Sequence, residues 1–247
     1  MMLSIILICS EREAENRTTA DYLKRELPSM TDQAELLVYG HSAQQEAWLD
    51  ELAQAADVRY MQIGERTDVQ LYADAMDRLK GELATALYGG DTYSDGAFTR
   101  IMAEAAKREK KQVFMPYKQL SELEFAAFAS AEVLDVVSVM DVYRTFTHYP
   151  FYFAGTFVRT KALQAGEWHL EYGIEAEREF FLTLLARVRE VVYLSDVIYQ
   201  GSRAQEGDPV FYKEIYNPDW YFKSLREFWQ PYLGHWSEQK GGIPRFI

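Results

Sequence analysis

Two glycines and two aspartates lie just after a short apolar segment and could form a ligand-binding turn. Residues 83–87 (Leu-Ala-Thr-Ala-Leu) have the composition of a strand covered on both faces, and residues 88–91 (Tyr-Gly-Gly-Asp) follow directly. Glycines let a ligand approach the backbone closely, and Asp91 and Asp95 carry the hard oxygen ligands that Mg²⁺ or Mn²⁺ binds. The same residues also fit an ordinary glycine turn beside a solvated aspartate, with Asp95 capping the next helix.

The elements that would position this turn follow from the apolar runs and amphipathic segments along the chain. Strands separated by helices of ten or more residues imply an α/β fold with a mostly parallel central sheet flanked by helices. In open α/β sheets ligands bind at the carboxyl ends of strands, which is where the turn lies. The predicted strands are 3–9, 35–39, 58–63, 83–87, 112–115, 149–159, 190–194 and 197–199. The first predicted helix follows residues 10–13 and ends near residue 27. The other predicted helices are 42–56, 69–80 (closed by Gly81), 96–111, 121–134, 173–189 and 218–233.

Length, charge and cysteine content narrow the class of protein. The 247 residues suffice for one large α/β domain or two small ones. The net charge of −12 argues against nucleic acid or an anionic membrane as the main partner, because phosphates require a basic surface. Cys9 is the single cysteine, which excludes an intramolecular disulfide and fits a cytoplasmic protein. Residues 2–9 are too short to span a bilayer, and we interpret them as the first strand.

Two further motifs extend the pattern at the strand end. Residues 175–181 (Glu-Ala-Glu-Arg-Glu-Phe-Phe) begin a predicted helix with acidic residues, and residues 35–42 form a strand that ends in Gly-His-Ser. Together with 87–91 (Leu-Tyr-Gly-Gly-Asp), their order resembles that of the family 2 glycosyltransferases of the GT-A fold, which use nucleotide sugars to build surface polysaccharides. The likeness runs from Ser4 to about Arg203, most of the chain.

The resemblance implies an architecture and a catalytic base. Residues 1–205 would form a GT-A-like nucleotide-diphospho-sugar transferase domain, and 206–247 an aromatic helical extension packed on it. Glu177 matches the glutamate of the acidic helix start that carries the base in the family, with Glu175 and Glu179 as local rivals. An acidic helix start is also stabilised by the helix dipole without any catalytic role.

The resemblance also implies a donor site and a cation. Departure of a nucleoside diphosphate requires neutralisation of its charge, which a bound Mg²⁺ or Mn²⁺ supplies. Asp91 would bind this ion, with Asp95 as a second ligand. The implied donor-binding residues are Ser10, Glu11, Tyr39, Tyr88, Gly90, Asp91 and Arg203.

The sequence departs from the family pattern at positions that carry the chemistry. Tyr39 or Gly40 lies where the family usually has an aspartate against the base and ribose, and Arg178 lies where an aspartate follows the base residue. Tyr88 and Gly90 leave Asp91 as the one carboxylate of the acidic motif. The hydrophobic pattern of the fold is therefore retained while several polar side chains of the site are replaced.

These observations define competing hypotheses of function. The first is a hexosyltransferase-type enzyme that transfers a sugar from a nucleotide-sugar donor to a glycan or cell-surface polysaccharide acceptor. The alternative is a catalytically inactive glycosyltransferase-like domain that serves for binding or scaffolding within a larger polysaccharide-synthesis protein. A nucleotidyltransferase-like enzyme would need a basic glycine-rich loop after the first strand, and residues 10–13 (Ser-Glu-Arg-Glu) do not form one. We expect a cytoplasmic protein, with peripheral attachment to a membrane left open, and the apolar ending 243–247 predicts an N-terminal piece of a longer chain.

Overall fold

The computed structural model describes residues 1–30, 32–42, 47–119, 132–135, 153–170, 176–188 and 190–201. These residues belong to the first of two units into which the chain separates, Met1–Gln205. Several predictions fall outside the described residues, and among them are Arg203, Glu175, most of the predicted helix 121–134 and the whole helix 218–233. The proposed extension over 206–247 therefore stays a prediction.

The first half of the chain forms four parallel strands in the order β3-β2-β1-β4. Every residue of β1, β2 and β4 is buried, as their apolar composition predicts for strands covered on both faces. The strands are β1 (Leu3–Ile8), β2 (Ala34–Gly40), β3 (Asp57–Gln62) and β4 (Leu83–Tyr88). The helices between them are α1 (Glu13–Glu26), α2 (Ala47–Leu52) and α3 (Asp68–Met76), and a 3₁₀ turn, Leu27–Met30, follows α1.

The second half of the chain makes the sheet mixed. Strand β8 runs antiparallel to both of its neighbours, β4 and β6, and β9 is parallel to β6 but antiparallel to β5 and β7. The strands are β5 (Thr92–Tyr93), β6 (Val113–Gln119), β7 (Glu132–Asp135), β8 (Phe157–Arg159) and β9 (Glu190–Gln200). The helices are α4 (Ala97–Lys107), α5 (Thr160–Gln164) and α6 (Ala176–Val188).

The prediction of a mostly parallel sheet is therefore wrong, although the α/β class is confirmed. The strand–helix alternation of the first half does not continue, because β8 enters between β4 and β6 in the opposite direction. Residues 132–134 were expected to end a helix but lie in β7, where pairing with β9 satisfies their backbone. The two strands predicted at 190–194 and 197–199 are one continuous strand, β9.

Gly81 has a different role from the predicted helix end. Helix α3 already ends at Met76, and Gly81 instead lies against the start of β1. A Cβ atom at Gly81 would be 2.6 Å from both the backbone nitrogen and the Oγ of Ser4. The glycine therefore permits the close approach of the chain that enters β4 to the chain that enters β1.

None of the described helices has the length and hydropathy that crossing a membrane requires. Helix α6 contributes Phe180, Phe181, Leu184 and Leu185 to the core, as its periodicity predicts. The strands β1, β2 and β4 all point their carboxyl ends toward one edge of the sheet, because they are parallel. This edge carries the residues of the candidate site.

Candidate functional site

The backbone N–H groups of the turn at 88–91 donate hydrogen bonds to acceptors in the turn itself, in β1 and in α1. Gly90 has the left-handed φ of 95° that favours glycine and reverses the chain after β4. Each of the four N–H groups has an acceptor within the fold. Tyr88 N donates to Asp91 Oδ2 (2.7 Å), Gly89 N to Ile8 O (2.9 Å), Gly90 N to Thr19 Oγ1 (2.9 Å) and Asp91 N to Tyr88 O (2.9 Å). The turn is thus held rigidly at the carboxyl ends of β1 and β4.

Asp91 is a buried residue of this turn. Its exposure is 1%, and its Oδ2 atom accepts two hydrogen bonds, from Tyr88 N and, at 2.6 Å, from the hydroxyl of Tyr199. Tyr199 belongs to β9, and its ring lies 5.1 Å from the ring of Tyr93 and against Gly155, where a Cβ would be 2.6 Å from Tyr199 Cδ1. Asp91 therefore joins the turn to the opposite half of the sheet.

Helix α1 holds the other side of the turn through two buried polar side chains. Asn16 accepts a hydrogen bond from Ser10 N (2.7 Å) and donates one to Ser10 O (2.9 Å). Thr19 Oγ1 donates to Asp91 O (2.9 Å). A Cβ at Gly89 would lie 2.2 Å from Asn16 Oδ1, so the glycine is required for this packing. Asn16 and Thr19 were not predicted from the sequence. The feature that could have identified them is that they are polar residues on the sheet-facing side of an otherwise amphipathic helix.

Glu177 lies near the start of the described part of α6 and is partly exposed. Its Oε1 atom accepts a hydrogen bond of 2.6 Å from Phe153 N, which orients the carboxylate. The pKa of Tyr72 is raised, above all by burial and then by the neighbouring phenol of Tyr88 and carboxylate of Glu177. The hydroxyl of Tyr72 donates to that of Tyr88 at 2.6 Å. The fold therefore brings Glu177 and the turn after β4 to the same region, although 85 or more residues separate them in sequence.

An aromatic cluster connects α6 to this region. Trp168 stacks on Phe180 with ring centroids 4.0 Å apart and an angle of 11° between the planes. Tyr72 lies 5.8 Å from Trp168 and 5.5 Å from Phe153, whose ring is 5.8 Å from that of Phe181. Offset and tilted contacts of this kind stabilise aromatic cores beyond the burial of their area. The cluster fixes the position of the helix that carries Glu177.

Tyr39 does not present its ring to solvent at the end of β2. The side chain is fully buried, its hydroxyl donates to Asp74 Oδ2 at 2.8 Å, and the Arg66 guanidinium lies 5.6 Å from the ring centroid. Burial and then the hydrogen bond to Asp74 raise the pKa of Tyr39. Arg78 also binds Asp74, at 3.0 Å. Stacking of Tyr39 on a nucleotide base would require the ring to leave this cluster, so its role in donor binding stays a prediction.

Ser10 and Glu11 follow β1 at the same edge. Ser10 is half-buried and its Oγ accepts a hydrogen bond of 3.0 Å from Arg12 N, whereas Glu11 is exposed. His41, which follows β2, lies with Nε2 3.2 Å from Cys9 O. The parallel pairing thus places the end of β1 between the end of β2 and the turn after β4, while Arg203 lies outside the described residues.

Asp95 neither caps α4 nor faces Asp91. The cap residue of α4 is Gly96, whose N–H donates to Glu26 Oε1 at 2.8 Å, and no side chain of the cap residue contributes. Residues 92–94 run along β9, where Tyr93 pairs with Tyr199 and Ser94 N donates to Ile198 O at 2.8 Å. An extended chain rises about 3.3 Å per residue, so these residues separate the two aspartates by about 10 Å or more. Asp91 is buried and Asp95 is exposed.

The predicted cation ligands therefore do not fit a shared Mg²⁺ or Mn²⁺. A divalent cation needs carboxylate lone pairs that point to an open position, whereas the whole Asp91 side chain is buried at 1% exposure and its Oδ2 atom accepts hydrogen bonds from two buried donors. Across the part of the chain that the structure describes, no group of three or more His, Cys, Asp or Glu side chains could hold a metal ion.

Comparison with known proteins adds a fold relationship. No protein-family model matches the sequence, and no curated protein matches it. Among solved structures, TarS of S. aureus is similar with a TM-score of 0.63 and 12% identity, over 81% of this chain and 36% of TarS. A TarS 1-349 structure in complex with UDP-GlcNAc gives a TM-score of 0.62 at 12% identity, over 81% of this chain and 58% of that chain. A mannosyltransferase of Pyrobaculum calidifontis in complex with GDP-Man and Mn²⁺ gives 0.55 at 12% identity, over 81% and 56%.

These likenesses confirm, at the level of the fold, the resemblance to GT-A-type glycosyltransferases inferred from the sequence. The chain spans between about a third and three fifths of the length of the structures named here. A shared fold at this identity does not transfer an activity, because functions reside in particular residues.

Proposed function

We propose that this chain is a glycosyltransferase-type domain that binds a nucleotide sugar at the carboxyl edge of β1, β2 and β4. The sugar would pass to a hydroxyl group of a glycan or cell-surface polysaccharide acceptor, as a hexosyltransferase does. The observation that supports the proposal is the series of contacts from Glu177 through Phe153 and Tyr72 to Tyr88 at the strand-end turn, in a fold similar to that of a solved mannosyltransferase. The net charge of −12 and the single cysteine favour a cytoplasmic protein without a nucleic-acid partner.

Glu177 is the proposed general base. The acceptor hydroxyl would attack the anomeric carbon of the donor, the bond from that carbon to the diphosphate oxygen would break, and the hydroxyl proton would pass to Glu177. A carboxylate suits this step because it accepts a proton from a hydroxyl that is becoming more acidic in the transition state. The hydrogen bond from Phe153 N to Oε1 fixes the rotamer of Glu177, which such positioning requires. No step is assigned to a metal ion, since the predicted ligands do not fit one.

A second candidate is a domain that has the fold but serves for binding or scaffolding within a larger polysaccharide-synthesis protein. The specific observation in its favour is the environment of Asp91, the one carboxylate of the acidic motif, which is buried and bonded to the core. The buried ring of Tyr39 also supports this second candidate, because its contacts at the end of β2 are with other side chains of the protein. On this hypothesis the edge of the sheet would bind without turnover.

Calorimetric titration of the full chain with UDP, GDP, CDP and their sugars separates the candidates. Saturable binding of one nucleotide sugar, together with release of its nucleoside diphosphate, would support the enzyme. Binding without release, in the presence of candidate glycan acceptors, would favour the scaffold. A folded protein that binds no nucleotide would contradict the proposed donor site, and Glu177→Gln, which should bind but not turn over, is the matched control.

A further inference from the structure

We infer that Asp91 is a structural clamp of the turn after β4, and that nucleotide-sugar binding at this edge needs no divalent cation. The second part of this inference rests on the proposed function, whereas the first part does not. It departs from what the fold relatives would suggest, since one of the similar structures contains Mn²⁺.

The contacts of Asp91 account for a structural role. Both donors to its Oδ2 atom, Tyr88 N and the Tyr199 hydroxyl, are themselves buried. If the carboxylate rotated to bind an ion, these two donors would lose their acceptor inside the core. Buried donors without an acceptor are among the most costly local defects in a protein, so the observed arrangement resists that rotation.

The packing of Tyr199 reinforces the clamp. Its ring is confined between Tyr93 and the backbone of Gly155, so its hydroxyl cannot follow the carboxylate outward. Thr19 holds the carbonyl of Asp91 and the N–H of Gly90 from the other side. The residue is therefore fixed at its backbone and at its side chain by different elements, α1 and β9.

Asp95 does not supply a substitute ligand near the turn. It is exposed, and the residues between it and Asp91 extend along β9 rather than folding back. A cation bound at Asp95 alone would have the low affinity of a single surface carboxylate. The two aspartates predicted to share an ion therefore have separate environments.

A manganese titration tests the inference without any nucleotide. The EPR signal of free Mn²⁺ is followed as the full chain is added, for wild type, Asp91→Asn and the exposed control Asp21→Asn. We expect no site tighter than about 0.1 mM, a threshold typical of weak surface sites, and identical curves for all three proteins. A tighter site that disappears in Asp91→Asn but persists in Asp21→Asn would overturn the inference.

Thermal unfolding and calorimetry provide two independent readouts. Asp91→Asn should lower the unfolding midpoint by about 5 °C, because charged acceptors bind buried donors more strongly than amides do, and Asp21→Asn should leave it unchanged. The Kd of UDP-GlcNAc, or of the donor found by titration, should agree within about twofold in EDTA and in MnCl₂. A tenfold loss of affinity in EDTA would overturn the inference.

The outcomes remain distinguishable from failure of the proposed function. If no nucleotide binds, the proposed donor site is wrong, and the manganese titration with the unfolding midpoints still decides the role of Asp91. If Asp91→Asn does not fold, Tyr199→Phe replaces it, since that variant keeps the carboxylate and removes only one of its donors. A lower midpoint for Tyr199→Phe with an unchanged manganese curve supports the clamp, and an unchanged midpoint contradicts it.

Discussion

The two acidic residues that the sequence nominates for chemistry, Asp91 and Glu177, lie in contrasting environments. Asp91 has 1% exposure, and one of its oxygens accepts hydrogen bonds from two buried donors on different strands. Glu177 is partly exposed near the described start of a helix, and its Oε1 accepts a hydrogen bond from the Phe153 backbone. A carboxylate that completes the hydrogen bonds of a core stabilises the fold, whereas one that is partly exposed can exchange a proton with a substrate.

The residue type of an acidic side chain and its position in a sequence motif therefore do not determine whether it has a structural or a chemical role. Both residues match the acidic positions of the glycosyltransferase resemblance, yet their neighbours differ. The neighbour that decides the role of Asp91 is Tyr199, which is 108 residues away in sequence. The predictions below test whether the two carboxylates separate into a structural and a chemical function.

The largest expected effect concerns turnover. Glu177→Gln should reduce the rate of sugar transfer by about 10²- to 10⁴-fold, because an amide cannot accept the proton of the acceptor hydroxyl. The free energy of unfolding should change by less than about 0.5 kcal/mol, since the amide oxygen can still accept the Phe153 N–H. Release of the nucleoside diphosphate and urea denaturation measure the two quantities. Full activity in Glu177→Gln would remove Glu177 as the base.

The second prediction concerns the fold around Asp91. Asp91→Ala should lower the free energy of unfolding by about 3 kcal/mol, because two buried donors lose a charged acceptor. Urea denaturation followed by tyrosine and tryptophan fluorescence measures this loss. Wild-type stability in Asp91→Ala would show that the carboxylate is not a clamp and would restore its candidacy as a ligand.

Part of this account was predictable from the sequence, and the reason lies in the range of the interactions. The parallel strands β1 to β4 and the helix around Glu177 follow from apolar runs and periodicity, which are local properties. Strand β5 has only Thr92 and Tyr93, and nothing but its pairing with β9 makes it a strand. Strand β7 was predicted as the end of a helix, since pairing with a distant strand overrides local preference.

The candidate site follows the same rule. The sequence placed the turn at 88–91 after a strand and Glu177 on a helix, and in the structure β4 ends at Tyr88 and Glu177 lies in α6. It did not predict the burial of Asp91, because its partner Tyr199 lies on another element. For Tyr39 it left core packing and contact with a ligand as alternatives, because the partner Asp74 also lies on another element. Tertiary packing therefore decides which of the nominated side chains are available to a ligand.

The third prediction tests the packing of the turn against α1. Gly89→Ala should lower the free energy of unfolding by about 3 kcal/mol, because its Cβ would overlap Asn16 Oδ1. Gly64→Ala is the matched control, since Gly64 has a φ of 64° and no atom lies within 4 Å of the position that a Cβ would take there. That control should lose only the backbone cost of about 1 kcal/mol. Equal losses in the two variants would argue against a crowded turn.

The fourth prediction is a pH dependence of stability. Burial raises the pKa of Tyr93, which packs beside Tyr199 beneath the turn, so the unfolded chain ionises this phenol first as the pH rises above about 10. The contribution of Tyr93 to the free energy of unfolding is fully present below about pH 10. As the pH rises above that value, this contribution is lost by about 1.4 kcal/mol per pH unit. Tyr93→Phe should show a correspondingly shallower fall between about pH 10 and 11 in urea denaturation. Identical slopes would mean that Tyr93 ionises freely in the folded protein.

A double-mutant cycle between Asp91 and Tyr199 tests whether their hydrogen bond clamps the turn to β9. Urea denaturation gives the free energy of unfolding of wild type, Asp91→Ala, Tyr199→Phe and the double variant. If Asp91 clamps the turn to β9, the double variant should lose at least about 1 kcal/mol less than the sum of the single losses, since both single variants break the same hydrogen bond. Losses that add within about 0.3 kcal/mol would contradict a structural role for the Asp91–Tyr199 pair.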